Sequence, residues 1–511
     1  MNTTRTHHAL LALAALLLAA VWLKNAWVCD DAYINFRSLD QLRAGHGPVW
    51  NAGQRVQVYT SVAWYWLQAP LRLVSADVWA NVLALSAACM IALMAVLRRL
   101  TGGGAALLML TLLMVGARGF MDFTSGGLEN PLIFLACAVL LDRFLAASAA
   151  APADPAAAGP VRQLVLTFGA ALLVRHDLAV LWLPPVLHAA WRHRRLWPGR
   201  RWLILAALAA APLAAWTAFA LFYYGSPWPN AALAKLSQGL PRAVSVAQGW
   251  RYLAALRLDP VFGATIVGGL ALAVARPAWR GLGAGLLANL AYLVWIGGDF
   301  MLGRMLGGVF LVAAVLLVRE VAARGPRPVT AGVAVALLAA ALLPRSPVTS
   351  PRVMGDHTDL HGRLADERAY YFDATSLWAR RTDHQGWFPV HQWTRDGRRA
   401  GNGDVKVVVA HNAGFFGYHA GVDKTVVDVY AITDPLLARV PVTRVPDDWR
   451  PAHVKRPLPR GYVNSLKYGK NMLDDGRLRP LYDDVQLAVA APLAAPGRAG
   501  AIWRLLRGAR R

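Results

Sequence analysis

Apolar residues run in long stretches through the first two thirds of the chain and then give way to a mixed pattern. Eleven runs fall at about 9–28, 79–97, 104–118, 129–148, 161–174, 177–190, 202–224, 260–275, 281–296, 305–320 and 328–344. A helix of roughly 20 apolar residues crosses a hydrocarbon core. The pattern therefore predicts about eleven transmembrane helices, with the short runs at 161–174 and 177–190 tilted or partly inserted. The first run is read as a span and not as a cleaved leader, because its apolar stretch is long and only Lys24 interrupts it.

Past residue 345 the pattern changes. Lys406–Ala410 and Thr425–Val429 read as buried strands, with His411–His419 between them as a loop and short helix. The predicted fold is mainly α: a polytopic membrane domain over 1–344, with outer loops 29–78 and 225–259, and a soluble α/β domain over 345–511. In the first outer loop Tyr33, Phe36, Leu39 and Leu42 recur every three residues, which predicts an amphipathic helix in the membrane interface. Gly45-His46-Gly47-Pro48 stops it.

Composition agrees. Of 511 residues, 56% are hydrophobic and 16% charged, and mean hydropathy is +0.37. Soluble domains run near a quarter charged. The net charge of +24 does not point to nucleic acid, because the arginines sit in short clusters between apolar runs, such as Arg192 to Arg201. Basic loops beside spans mark the cytoplasmic side. With the N-terminus inside, Arg98-Arg99, Arg143, Arg192–Arg201, Arg276 with Arg280, and Arg319 to Arg327 all fall in cytoplasmic loops. An odd number of spans then puts the C-terminal domain outside. Three cysteines, Cys29, Cys89 and Cys137, provide no disulfide framework.

This topology gathers the unusual polar clusters on the outer side. They are Asp30-Asp31, the stretch Asp122 to Pro131 with Glu129, Arg175-His176-Asp177, Tyr223 to Asn230 with Lys235, and Gly297-Gly298-Asp299 with Arg304. Polar groups at helix ends on one face suggest one outward-opening cavity. Each has a plainer reading: Asp30 or Asp31 as a helix cap, Arg175 paired with Asp177 or another carboxylate, Lys235 snorkelling, and Asp299 paired with Arg304. His411, His419 and His453 lack metal-ligand spacing, and Tyr370, Tyr371, Trp387, Phe388 and Trp393 read as core aromatics more than as a sugar platform.

The segment Asp30-Asp31-Ala32-Tyr33-Ile34-Asn35-Phe36-Arg37, then Gly45-His46-Gly47-Pro48-Val49-Trp50-Asn51, resembles the start of bacterial GT-C glycosyltransferases, in particular terminal arabinofuranosyltransferases of the AftB type. Ser125 to Glu129, Tyr224-Gly225 with Pro229-Asn230 and Lys235, Gly298 to Met301 with Arg304, and Ile432-Thr433-Asp434-Pro435 followed by His453, Lys455 and Arg456 extend the likeness in order. The chain departs where His176 and Leu178 flank Asp177, and at Asn130, where a Thr is usual.

The resemblance implies a polyprenyl-phosphate-linked sugar donor, most simply arabinofuranose, and an inverting transfer to a glycan or glycoprotein acceptor on the periplasmic side. Chemistry then assigns roles. A carboxylate takes the acceptor proton: Asp30, with Asp31 orienting or exchanging roles. Arg175, His176, Lys235 and Arg304 are the donor-phosphate candidates. Tyr33, Arg37, His46, Glu129, Asn230 and Asp299 are the sugar or acceptor candidates. Neither a cofactor nor a metal is expected, the lipid bilayer is the setting, and the chain is expected to act as a monomer. Rival readings are a mannosyl or other sugar transferase of the same class, and a lipid-linked sugar flippase. The latter predicts inverted repeats and midplane binding residues, and no internal repeat is visible.

Overall fold

The computed structural model describes residues 3–343, 346–349, 363–384, 386–440, 442, 445, 447, 449–451 and 453–508. The expected domain boundary at 344/345 lies outside them.

Every one of the eleven apolar runs forms a helix. Among the described residues, six helices are long and apolar enough to cross a membrane: Thr4–Asn25, Val78–Thr101, Asn130–Ala149, Pro155–Val174, Gly199–Tyr224 and Arg304–Ala323. Two further pairs are sharply bent, Gly104–Gly116 with Arg118–Thr124 at 86° and Arg242–Leu258 with Pro260–Ala275 at 112°, and counting each as one span gives up to 8. Leu178–Arg192, Arg280–Ile296 and Pro326–Leu342 are helices of 15, 17 and 17 residues. The chain is thus a multi-pass, mainly helical membrane protein, and the length criterion supports six to eight spans where hydropathy alone suggests eleven.

The bends have local causes. Pro260 disfavours the helical region at the residue before it, and Asp259 adopts φ −128°, ψ 84°. Its carboxylate caps the following helix by accepting the Phe262 N–H at 3.2 Å and also accepts the Gly119 N–H at 2.8 Å. Gly119 belongs to the other bend. Backbone groups freed at a break in an apolar setting need such partners.

The structure divides into two compact units interleaved along the chain. The first comprises 1–28, 82–213 and 242–378, and holds most of the apolar helices. At its centre helix Gly307–Ala323 is buried along most of its length. Gly269 lets helix Pro260–Ala275 approach it closely, since a Cβ there would lie 2.4 Å from that of Ala313. Small residues at such crossings are the usual device of membrane helices.

The second unit comprises 29–81, 214–241 and 379–511. Strands β1 (Val407–Ala410) and β2 (Thr425–Asp428) pair in parallel, Val407 opposite Thr425, with the short helix Gly414–His419 in the crossover. This pair is a two-stranded sheet in a largely helical unit. Its core draws Ile34, Trp50, Val56, Leu233, Val426, Leu436, Tyr462 and Val485 from all three chain segments.

Helix Asp30–Arg43 forms where the three-residue spacing predicts it. Its setting differs from an interfacial helix. Tyr33, Phe36 and Leu39 are buried, but so are Arg37, Ser38 and Gln41 on its polar side. Both faces pack inside the unit because each of those polar groups finds an internal partner: Arg37 and Gln41 reach backbone carbonyls and Ser38 meets the Tyr65 hydroxyl at 3.1 Å.

Candidate functional site

Cys29 is the first non-helical residue before helix Asp30–Arg43, so both aspartates lie in its first turn, where the helix dipole favours negative charge. Their environments differ. Asp30 is 6% exposed and spends both oxygens on a distant segment. Oδ1 accepts the Phe415 N–H at 2.7 Å and Oδ2 the Gly414 N–H at 3.2 Å. Position 414 must be glycine for this approach, since a Cβ there would sit 2.0 Å from the Asp30 carbonyl oxygen. Asp30 thus caps helix Gly414–His419 and not its own helix. Asp31 is half-buried, and among the described residues nothing hydrogen-bonds or ion-pairs with its carboxylate. The cap and base readings of the pair therefore separate onto different residues.

Burial pushes the Asp30 carboxyl up to about 7, the two N–H donors opposing and the Asp31 and Asp428 charges reinforcing the rise. Burial likewise raises Asp434 to about 7 and Asp428 to about 6. Folded-state values above the unfolded one mean that the folded chain binds more protons between pH 4 and 7. Stability is then fully present below about pH 4 and is lost as pH rises through 7. In thermal melts from pH 5 to 8, the second unit should lose stability, and Asp434→Asn should flatten that slope.

The other candidates in this unit are mostly anchors. The Arg37 guanidinium engages all five N–H groups. Nε donates to Trp50 O, Nη1 to Gly417 O and Gly421 O, and Nη2 to Lys424 O and Asn51 Oδ1, at 2.6 to 3.4 Å. No donor remains for a sugar. Tyr33 packs edge-on to Phe36, Phe415 and Tyr418. Asn230 Nδ2 donates to the carbonyls of Ala431, Ile432 and Asp434, joining two motifs 201 to 204 residues apart. Asp434 in turn accepts the N–H groups of Leu436 and Leu437 and the Tyr462 hydroxyl. Asn51 acts as an added strand partner, giving to Val426 O and accepting from Val426 N. His46 is exposed and lies 2.6 Å from Gln41, and Lys235 is exposed on helix Asn230–Leu236.

In the first unit, Glu129, Arg175, Asp177, Asp299 and Arg304 come together. Arg175 holds Asp177 through two bonds of 2.8 and 2.6 Å and Glu129 at 2.8 Å. Arg304 lies 3.8 Å from Glu129 and 3.5 Å from Asp299. Burial alone would raise Glu129, but Arg175 and Arg304 beside it hold its carboxyl below the ordinary value. His176 is half-buried next to this network. Two guanidiniums face three carboxylates, so the cluster has no surplus positive charge. Arg175→Gln strands the buried Glu129 charge. Breaking a buried pair from one side costs about 3–5 kcal/mol, so the variant should unfold at markedly lower temperature in a detergent melt, with Glu129→Gln less affected.

Asp30, Asp31, Tyr33, Arg37, His46, Asn230 and Lys235 thus belong to the second unit, and Glu129, Arg175, His176, Asp299 and Arg304 to the first. Sequence reasoning missed one polar group in the first unit, formed by Arg118, Asp259, Asp366 and Arg368 with Asp122. The available signal was charge at the breaks of apolar runs: Arg118 and Asp259 stand at the two bends.

Set against known proteins, the chain is 31% identical over 333 residues to a terminal beta-(1->2)-arabinofuranosyltransferase of Mycobacterium tuberculosis, covering 55% of this chain and 51% of that protein. It is 30% identical over 339 residues to the protein of the same name from Corynebacterium glutamicum, covering 56% and 47%. The chain spans about half the length of the curated relatives it matches. The likeness expected from the motifs to arabinofuranosyltransferases of this type is therefore borne out. No family model matches the chain, and no solved structure matches it.

Proposed function

We propose that this chain is a membrane glycosyltransferase that moves arabinofuranose from a polyprenyl-phosphate donor to a hydroxyl of an envelope glycan or glycoprotein. We place the reaction on the periplasmic side of a bacterial inner membrane. The likeness to two arabinofuranosyltransferases supports the class. The observation that carries the mechanism is the Asp31 carboxylate, half-buried and uncommitted beside a fully committed Asp30.

In this reading the acceptor oxygen attacks the anomeric carbon as the bond from that carbon to the phosphate oxygen breaks. The electron pair leaves with the polyprenyl phosphate, and the acceptor proton passes to Asp31. A single displacement inverts the anomeric centre. Asp30 is the positioning residue: its bonds to Gly414 and Phe415 fix the first turn that carries Asp31. A general base contributes roughly 10²–10⁴ in rate. For the leaving phosphate we assign Lys235, exposed on helix Asn230–Leu236 in the unit that carries Asp31; Arg175 and Arg304, set among Glu129, Asp177 and Asp299, have no surplus charge for it. Fixed cations stabilise developing charge best where water is excluded.

The test uses the purified full chain in detergent with a panel of synthetic polyprenyl-phospho-sugars. Release of polyprenyl phosphate with transfer of arabinofuranose supports the proposal. Transfer of mannose alone supports the nearer alternative. With no transfer from any donor, but movement of the lipid-linked sugar across a reconstituted bilayer, the flippase reading takes its place.

A further inference from the structure

Helix Val62–Val74, in the second unit, is amphipathic in the inverted sense. Its exposed residues are Trp66, Leu67, Pro70, Leu73 and Val74, and not one of them is charged or hydrophilic. They recur at the three- and four-residue spacing of a single helix face. Leu73 and Val74 are 71% and 84% exposed, and Trp66 and Leu67 40% and 43%. The polar residues face the protein instead. Gln68 and Arg72 are buried. Arg72 Nε donates to Asp40 Oδ1 at 2.5 Å and its Nη1 to Ser75 O at 3.2 Å, while Gln68 Nε2 donates to Trp64 O at 3.1 Å. Tyr65, also buried, stacks on Tyr59 with ring centroids 3.9 Å apart.

A helix in water turns Gln and Arg outward and its apolar stripe inward. A contiguous apolar face on the outside marks a surface made for something other than water. The place where this helix ends says what that is. Three residues, Ser75-Ala76-Asp77, separate it from Val78–Thr101, a helix long and apolar enough to cross a membrane. Asn81, in the first turn of that span, donates to the carbonyls of Leu71 and Ser75, both at 3.2 Å. The end bearing Leu73 and Val74 is thereby pinned where the chain enters the bilayer. With 13 residues the helix is roughly 20 Å long, too short for a hydrocarbon core of about 30 Å.

We propose that helix Val62–Val74 is inserted in one leaflet without crossing it, its Trp66, Leu67, Pro70, Leu73 and Val74 face in contact with the acyl chains of the leaflet where span Val78–Thr101 begins. The uncharged face matches acyl chains and not headgroups, and a Trp at its edge suits the boundary between the two. This helix takes the interfacial role that residue spacing suggests for helix Asp30–Arg43, whose two faces are both buried. Through the Arg72–Asp40 pair it also ties helix Asp30–Arg43, which carries Asp31, to the membrane surface. The lipid contact is independent of the transferase reading.

The test uses the full-length chain in lipid nanodiscs and has two arms. In the first, a phospholipid with a diazirine in its acyl chain is irradiated with the wild-type protein and the labelled residues are mapped. Labelling at Trp66, Leu67, Leu73 or Val74 supports the proposal. Labelling of span residues such as Ile91, 73% exposed, with none at these four, overturns it. In the second arm nitroxides are placed singly at Leu67→Cys and Leu73→Cys, the native Cys29, Cys89 and Cys137 being buried. Ile91→Cys is the lipid reference and the exposed Arg477→Cys the water reference. Both positions should collide with oxygen several-fold more than with a water-soluble nickel chelate, as Ile91→Cys does. A preference for the chelate, as at Arg477→Cys, overturns the proposal. Low access to both reagents overturns it too, and spin–spin broadening between copies would then give the face to a second copy of the chain. If a cysteine variant does not fold, the labelling of the wild-type protein decides.

Discussion

Asp31→Asn should abolish most transfer while leaving the fold intact. The substitution is isosteric, and among the described residues it breaks no hydrogen bond or ion pair. What it removes is the basicity that takes the acceptor proton, and the expected fall in kcat is roughly 10²–10⁴. Melting temperature should stay within a degree or two of wild type. Asp30→Asn should behave differently. An amide retains one acceptor oxygen where the carboxylate offers two, so either Gly414 or Phe415 loses its partner and stability falls by about 1–3 kcal/mol. Initial rates on a synthetic arabinofuranosyl donor, read beside thermal melts, separate the two. If Asp31→Asn keeps a near wild-type rate while folded Asp30→Asn loses two orders of magnitude, the roles are reversed. In that case the rise of the Asp30 carboxyl to about 7 would be the tuning of a base and not only the consequence of burial.

The second large effect is structural. Arg37→Lys should strongly destabilise the second unit, although charge is preserved. The guanidinium places five donors in a rigid fork and lies over Trp50 at 4.9 Å. An ammonium has three donors on a flexible stem and cannot span carbonyls from Trp50 to Lys424. At least two buried carbonyls or amide oxygens are left unmet, at about 1–3 kcal/mol each, and the cation–π contact weakens as well. Chemical unfolding in detergent, or limited proteolysis of the 400–430 region, should show the loss. A variant as stable and protease-resistant as wild type would show that Arg37 is not the anchor described.

Much of this was readable from residue order. All eleven apolar runs became helices, the strands formed at Val407–Ala410 and Thr425–Asp428, and Arg175 did pair with Asp177. Each is local: hydropathy along one helix, a short apolar run over four residues, or an ion pair two residues apart. Less was readable wherever a partner lies far along the chain. Arg37 carries no sign that its carbonyls are 380 to 387 residues away. The polar side of helix Asp30–Arg43 reads as a solvated face until those carbonyls are found beside it. The interleaving of the two units is equally invisible, because the loops between apolar runs have no pattern that says which of them pack together.

The acidic pair shows the division most simply. Sequence alone determined that two adjacent carboxylates end the first apolar helix and enter an amphipathic one, because charge and hydropathy are properties of consecutive residues. Tertiary structure decided which aspartate is spent. Asp30 accepts N–H groups from Gly414 and Phe415, 384 and 385 residues further on, while Asp31, one position along the same helix, is left uncommitted. Successive helical residues point about 100° apart, so the fold can bury one carboxylate against a distant helix and leave its neighbour open to react.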